Sequence, residues 1–376
     1  MKKVVIVQHR LLHYRVDLFN LMKKKLKHKN VELHLVHGGA SAKESQRKDE
    51  GHLTWANKIK NYFCTVSGVD LIWQKLPNVV NECELLVLMQ ENRIISNYPQ
   101  IIKRKLLKKK IAFWGHGKNL QSTKPEGIKE LWKLKWLTSV DWWFGYTKST
   151  VDYLVNKSFP ERNITCLNNA IDIDGFKDQL ANISNEDLER VRSDLGIEEN
   201  SVVGIYCGSL YKEKRLNLML EAADYIKTKN KKFHLVIIGD GPDAHILKNA
   251  SQTRDWLSLV GVKKGQDKAL FYRLSHIFLN PGLVGLHILD SFAVGIPMIT
   301  TEDALHSPEY DYLENDINGL VLPGNAKDYA IGIIELLNES DRYKAMCDQA
   351  LNDSEKYTVE SMANNFVDGI VKCLSD

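Results

Sequence analysis

The sequence predicts an α/β protein made of two doubly wound domains with a cleft between the carboxyl ends of their sheets. Three observations predict it. Short apolar runs alternate with helix-period segments from the N-terminus to about residue 322, the pattern of parallel sheets with crossover helices. The alternation changes composition at 168–184 and then restarts. At 376 residues the chain also exceeds what one core ordinarily holds.

In the first half, a buried strand at 3–8, a helix at 14–27 and a strand at 31–37 form a βαβ opening, which implies a parallel sheet. The stretch 38–55 is rich in glycine, serine and charge and reads as a mobile loop. A strand at 85–90, a helix running through 110 and a strand at 111–114 follow, the last ending in Gly115-His116-Gly117. Next come a helix over 126–137, an aromatic strand at 142–146, a helix from 149 and a strand at 164–167. Residues 168–184 cross to the second domain. Its pattern is helix 185–195, strand 202–207, helix 216–227, strand 233–238, helix from 242, strand 257–260 and helix 267–274.

The stretch 277–301 organises that half. An apolar run (IFLNPG) ends in Pro-Gly, helical spacing of Leu286, Leu289, Phe292 and Ala293 begins, and a further strand opens at Pro297. This strand–loop–helix places a loop at a strand's carboxyl end and at a helix N-terminus, where orphan amides and the helix dipole favour an anion such as phosphate. After 319–322 only helical patterns remain, the last over 359–374. The expected domains are therefore 1–170 and 171–355, with 356–376 a helix returning toward the first.

Composition makes this an ordinary globular chain, with 44% hydrophobic and 26% charged residues. No apolar run reaches 18 residues, and His9 and Arg10 interrupt the N-terminal run, so a cytoplasmic protein is expected. Six cysteines without CxxC spacing indicate neither a zinc site nor a disulfide framework. His9 and His13 have a metal-compatible helical spacing but no third ligand, so no metal is expected.

Charge is unevenly divided. Residues 1–170 carry 30 Lys+Arg against 14 Asp+Glu, a net +16, whereas 171–376 carry 21 against 33, a net −12. The basic half calls for an anionic partner: lipid headgroups, nucleic acid or a phosphorylated acceptor. Its lysines cluster at 23–29, at 103–110, where six of eight residues are basic, and at 128–137, where they alternate with tryptophans. Each contributes about 1 kcal/mol near an anionic leaflet, which favours a membrane surface. Nucleic-acid binding is the rival; it lacks a reader motif here, and the acidic half opposes it.

Residues that can carry chemistry lie in loops after strands. Gly208 to Arg215 (GSLYKEKR) follows the strand at 202–207. A lysine there can neutralise a diphosphate leaving group as its bond breaks, although solvated loop charge is the plainer reading of such a run. Gly239-Asp240-Gly241-Pro242 is a tight βα turn, which nucleotide sites and purely steric turns share. Asp290 lies early in the organising helix, suited to gripping hydroxyls beside a phosphate. His116, between two glycines, is a candidate to bond a substrate hydroxyl or a developing charge.

The ordered set Trp114-Gly115-His116-Gly117, Asn169 to Asp172 with Phe176, Gly208 to Lys214, Gly239 to Pro242, Pro281 to Pro297, Pro308-Glu309 and Asn318-Gly319 resembles the GT-B glycosyltransferases of family 4. The resemblance is specific over about 200–340 and thinner over 1–170. It implies two Rossmann-like domains, the first binding the acceptor and the second a nucleotide sugar (UDP-, GDP- or dTDP-linked). It implies retaining transfer of a hexose-type sugar to a saccharide, in particular a lipid-linked one, in cell-surface polysaccharide or glycolipid synthesis, with no cofactor. By position, Lys214 holds the donor diphosphate, Asp290 stands at the second glutamate of the EX7E motif and bonds the ribose, and His116 contacts the donor sugar. The amides of Gly285 and Leu286 lie against sugar and diphosphate, and Gly208, Ser209, Gly239, Gly282, Val284 and Glu309 complete the donor set. His116 and Lys214 are the catalytic pair implied.

The sequence departs from that pattern at four places. Gly282 replaces the first motif glutamate, Asp290 shortens the second, Ser209 replaces the usual arginine, and His9 to Arg15 replaces a glycine-rich loop. The weakened motif leaves a non-catalytic nucleotide-sugar-binding protein as the alternative. Peripheral attachment to the inner face of the cell membrane suits the basic first domain.

Overall fold

Continuous apolar runs form the strands because each sheet is covered on both faces. The computed structural model describes residues 1–45, 49–66, 68–117 and 135–375. In chain order the first strands are β1 (Lys2–Gln8), β2 (Val31–His37), β3 (Asn57–Lys58), β4 (Asn61–Val66), β5 (Val69–Gln74), β6 (Leu85–Met89), β7 (Lys110–Gly115), β8 (Trp142–Gly145) and β9 (Ile164–Cys166). Seven of them make a parallel sheet in the order β3-β2-β1-β6-β7-β8-β9. The order reverses between β1 and β6. Trp114, Trp142, Trp143 and Phe144 are fully buried in it.

The second sheet holds β10 (Val202–Cys207), β11 (Phe233–Ile238), β12 (Leu257–Gly261), β13 (Ile277–Leu279), β14 (Met298–Thr301) and β15 (Gly319–Leu322). All are parallel, in the order β12-β11-β10-β13-β14-β15. This is the doubly wound arrangement, whose ligands bind outside the carboxyl ends of the strands where the order reverses. Here that point lies between β10 and β13.

The chain forms two compact units: Met1–Ile171 together with the closing helix Val359–Ser375, and Asp172–Thr358. In the first unit the closing helix stacks Phe366 on Phe144 at 4.4 Å between ring centroids and presents it edge-on to Trp114 at 4.9 Å. Asn365 donates to the carbonyl of Leu167 at 3.2 Å.

Several expectations are corrected. The stretch 38–55 contains the one-turn helix Ala42–Ser45, and it is tied down by His13 N–H to Asp49 O (3.0 Å) and Gly51 N–H to Leu11 O (2.9 Å). His13 opens a short 3-10 helix, His13–Arg15, with His9 ahead of it, so the two histidines do not share a helical face. The crossing segment carries a helix that the sequence pattern did not mark: Asp172 caps the helix Ile173–Ala181, and Ser184 with Asp187 forms a capping box on Asn185–Asp194. The antiparallel hairpin β4–β5 has no counterpart among the predicted elements. Most of the predicted helix 126–137, and of the basic segment 128–137, lies outside the described residues.

Candidate functional site

The second unit's switch point is built by two loops locked together. After β10 the chain runs through the 3-10 helix Lys212–Lys214 and turns at Arg215, which is left-handed at φ 54° and ψ 47°. That conformation is costly for a residue with a side chain, and it persists where the surroundings hold it. Asp303 holds it with a two-pronged ion pair (2.6 and 2.8 Å), and Arg215 also donates to Thr301 Oγ1 at 3.1 Å. The turn points Lys214 inward. Its side chain is 3% exposed, and Nζ donates to the carbonyl of Leu283 at 2.5 Å. Burial without a facing carboxylate lowers its pKa to about 7.

The partner loop, 281–286, is fixed at nearly every residue. Thr301 Oγ1 donates to Pro281 O (2.7 Å), Thr300 Oγ1 to Gly282 O (3.3 Å), and Leu283 N–H to Glu213 O (2.9 Å). Val284 N–H donates to His306 Nδ1 at 3.2 Å, while Nε2 of that ring lies 2.8 Å from Thr301 O. Burial holds the His306 pKa down, which favours the neutral tautomer these two bonds require. Gly282 faces the lysine turn directly: a Cβ there would fall 2.2 Å from Glu213 O and 2.5 Å from Lys214 Cα. The position where the resemblance has its first glutamate therefore has no room for any side chain.

The other sequence candidates in this unit fall into three groups. Gly208 and Gly239 back onto one another, a Cβ on Gly239 lying 1.9 Å from Gly208 O, so close packing of two turns accounts for both. Ser209 is exposed beside them. Gly285 and Leu286 lead into the helix His287–Val294, whose N-terminus adjoins the Lys214 turn. Ser307 N–H donates to Val284 O at 3.1 Å, which brings buried Glu309 of the 3-10 helix Pro308–Tyr312 to the same loop.

Asp290 is only 6% exposed, and Oδ1 accepts from Lys268 Nζ at 2.7 Å. Lys268 also lies 4.3 Å over the Phe176 ring. Burial pulls the Lys268 pKa down, but Asp290 and Cys207 outweigh it and the ammonium stays charged. One carboxylate oxygen of Asp290 is thus committed to an ion pair that the sequence reading did not contain. His287 was missed as well. Its ring stacks on Phe278 at 5.4 Å, its Nε2 is buried with no partner among the described residues, and burial with the charges of Lys214 and Lys268 keeps it neutral.

His116 belongs to the first unit, exposed just past β7, with its ring edge-on to Tyr146 at 4.5 Å. Tyr146 accepts from the buried Arg15 at 2.9 Å, and the Arg15 guanidinium lies 4.1 Å over Trp114. Burial pushes the Tyr146 hydroxyl up to about 12, so it stays a neutral phenol. At the first sheet's own switch point His9 meets Glu91 (3.2 Å) and Glu44 (3.4 Å), and Arg93 pairs with both acids. No sequence period could announce this cluster, because its members come from loops up to 84 residues apart. Among the described residues no group of three or more His, Cys, Asp or Glu is placed to hold a metal.

Residues 187–353 match the sequence profile of the family Glycosyl transferases group 1. Two curated relatives are alpha-monoglucosyldiacylglycerol synthases. That of Acholeplasma laidlawii is 26% identical over 150 residues, 38% of this chain and 36% of the relative. That of Streptococcus pneumoniae is 30% identical over 156 residues, 37% and 35% of the two. The match thus spans about a third of each relative's length. Among solved structures, Anabaena HepE in complex with UDP superposes with a TM-score of 0.70 at 13% identity, covering 99% of this chain and 100% of that one. A glycosyltransferase from Rickettsia africae gives 0.71 at 15%, covering 100% and 99%. WaaG, a glycosyltransferase involved in lipopolysaccharide biosynthesis, gives 0.63 at 11%, covering 97% and 98%. These likenesses show the fold: two Rossmann-like α/β halves with parallel sheets, matching GT-B glycosyltransferases.

Proposed function

We propose that this chain is a group 1 glycosyltransferase that transfers a sugar, with retention, from a nucleotide-sugar donor to a lipid-linked or other saccharide acceptor. The premise is the family match over 187–353, the segment that contains the Lys214 turn, the 281–286 loop and the helix His287–Val294. The observation that carries the reading is Lys214: a buried cation without a facing carboxylate, at a topological switch point and beside a helix N-terminus. A donor diphosphate there would take over the ammonium from the Leu283 carbonyl. As the bond to the diphosphate breaks, Lys214 counters the charge that develops on it. His116, with the acceptor-binding first unit, steadies the sugar, and the acceptor hydroxyl attacks on the face the nucleotide leaves. Gly208, Ser209, Gly239, Gly282, Val284, Gly285, Leu286, Asp290 and Glu309 form the remainder of the proposed donor site.

A UDP-sugar is the first donor to try, since solved neighbours hold UDP and UDP-glucose. The glycolipid synthases among the relatives favour a lipid acceptor. So does the basic helix Asn97–Leu106, which with the following turn exposes Ile102, Leu106 and Leu107 between lysines. No described helix is long and apolar enough to cross a membrane. Reversible attachment to the inner face of an anionic membrane is therefore the proposed location.

The test is thermal shift against UDP, GDP, dTDP and their sugars. A ligand at a hundred times its Kd stabilises by about 2.7 kcal/mol, so the correct nucleotide series moves the melting temperature and the others do not. Silence across the panel with folded protein would remove the donor assignment. Turnover separates an enzyme from a non-catalytic nucleotide-sugar binder. Lys214→Ala and His116→Ala are expected each to lower kcat by at least about a hundredfold, far more than Asp290→Asn. Equal activity in all three would remove the role assignments.

A further inference from the structure

The hairpin β4–β5 turns most of one face to solvent, and that face is apolar. Cross-strand register pairs Tyr62 with Trp73, Cys64 with Leu71 and Val66 with Val69. Alternation puts these six side chains on one side of the ribbon. Tyr62, Val66, Val69 and Trp73 are 48, 51, 52 and 46% exposed, Cys64 is exposed and Leu71 half-buried. The base of the opposite side anchors the ribbon, although Phe63 there is 37% exposed: Ile72 is buried, Gln74 donates to Gln8 O at 3.1 Å, and Asn61 donates to His9 O at 2.7 Å. A contiguous apolar face on an anchored ribbon marks an interaction surface, since scattered single residues would need no explanation.

We infer that this face is a membrane-insertion element, which dips into the headgroup region of an anionic bilayer and holds the first unit at the lipid surface. The ribbon's foot carries exposed Lys58, Lys60 and Lys75, with the Lys60 ammonium 5.2 Å from the Tyr62 ring centroid. The one acid between 58 and 75, Asp70, lies on the opposite face, bonded to Thr65 at 2.7 Å. Tyrosine and tryptophan flanked by lysines suit the boundary between acyl chains and headgroups. A second copy of this chain would bring two sets of these lysines, and two segments of net charge +16, together. An anionic leaflet neutralises them instead.

The inference deepens the membrane-docking part of the proposed function and rests on it. The experiment is flotation of the full chain with vesicles of phosphatidylglycerol and phosphatidylcholine, comparing wild type with Trp73→Glu and with Tyr62→Glu. Each variant is expected to weaken partitioning about tenfold while the nucleotide thermal shift is unchanged. In the otherwise unaltered chain, a polarity-sensitive dye on Cys64, with Cys64→Ser as the labelling control, is expected to shift to the blue on adding vesicles. Variants that float like wild type, or an unshifted dye on bound protein, would overturn the insertion element and leave docking to the lysine-rich helix. Wild type that binds no vesicle would overturn both. Self-association lost on Trp73→Glu would assign the face to a second copy and overturn the inference.

Discussion

Lys214 is where the energetics of the proposed site are most exposed to test. Burial holds its pKa at about 7, so the ammonium is mostly present below that pH and mostly absent above it. A bound diphosphate favours the charged form and raises the pKa. Binding at pH 8 should therefore take up a proton, and affinity should fall as pH rises through 7. Calorimetry in buffers of different ionisation enthalpy measures the uptake, which Lys214→Ala should abolish. Asp290 presents the opposite case. Its ion pair with Lys268 is largely buried, so Asp290→Asn should cost about 3 kcal/mol of stability by stranding a charge, with catalysis much less affected. A melting curve and a kcat measured together separate the two effects. Gly282 will not accept restoration of a glutamate: even Gly282→Ala should cost about 1–3 kcal/mol, because the added carbon meets the backbone of Glu213 and Lys214.

Elements matter here chiefly through the loops at their carboxyl ends. The loops after β1, β2 and β6 bring His9 against Glu44 and Glu91. Burial lowers the His9 pKa, but the two carboxylates outweigh it and the result is raised above 6.5. That contribution is complete below 6.5 and disappears as pH rises through the raised value. Glu91 runs the other way. Burial raises it, the bond from His9 and the charges of His9 and Arg93 outweigh that, and it is held at about 2, so its contribution is lost only in acid. The gap in melting temperature between wild type and His9→Gln should accordingly be widest near pH 5–6 and close as pH rises above the His9 value. A gap independent of pH would show that packing, not charge, holds the loops together.

For the molecule as a whole, the decisive contact is made by the last helix. Phe366 completes the aromatic cluster of Trp114 and Phe144 in the first unit, although more than 200 residues of the chain separate them. Phe366→Ala should cost about 3–5 kcal/mol. Hydrogen exchange should then rise in β7 and β8 of the first unit before it rises in β10 to β15. Uniform acceleration in both would mean that the two units unfold as one.

Sequence by itself determined the parts whose signal is local. Val4 to Val7, Leu85 to Leu88 and Phe233 to Ile238 read as buried strands because continuous apolar runs have few other solutions. The Lys214 turn and the 281–286 loop were legible because glycine and proline mark the ends of strands. Tertiary structure alone decided what depends on distant partners. The six outward residues of β4–β5 carry no pattern that distinguishes an exposed apolar face from a buried one. The Lys268–Asp290 pair, the His9 cluster and the closeness of Gly282 to the Lys214 backbone arise from turns that meet only once the sheets have formed. Local chain chemistry fixes what each segment becomes, whereas burial and charge pairing are set by which segments topology brings together.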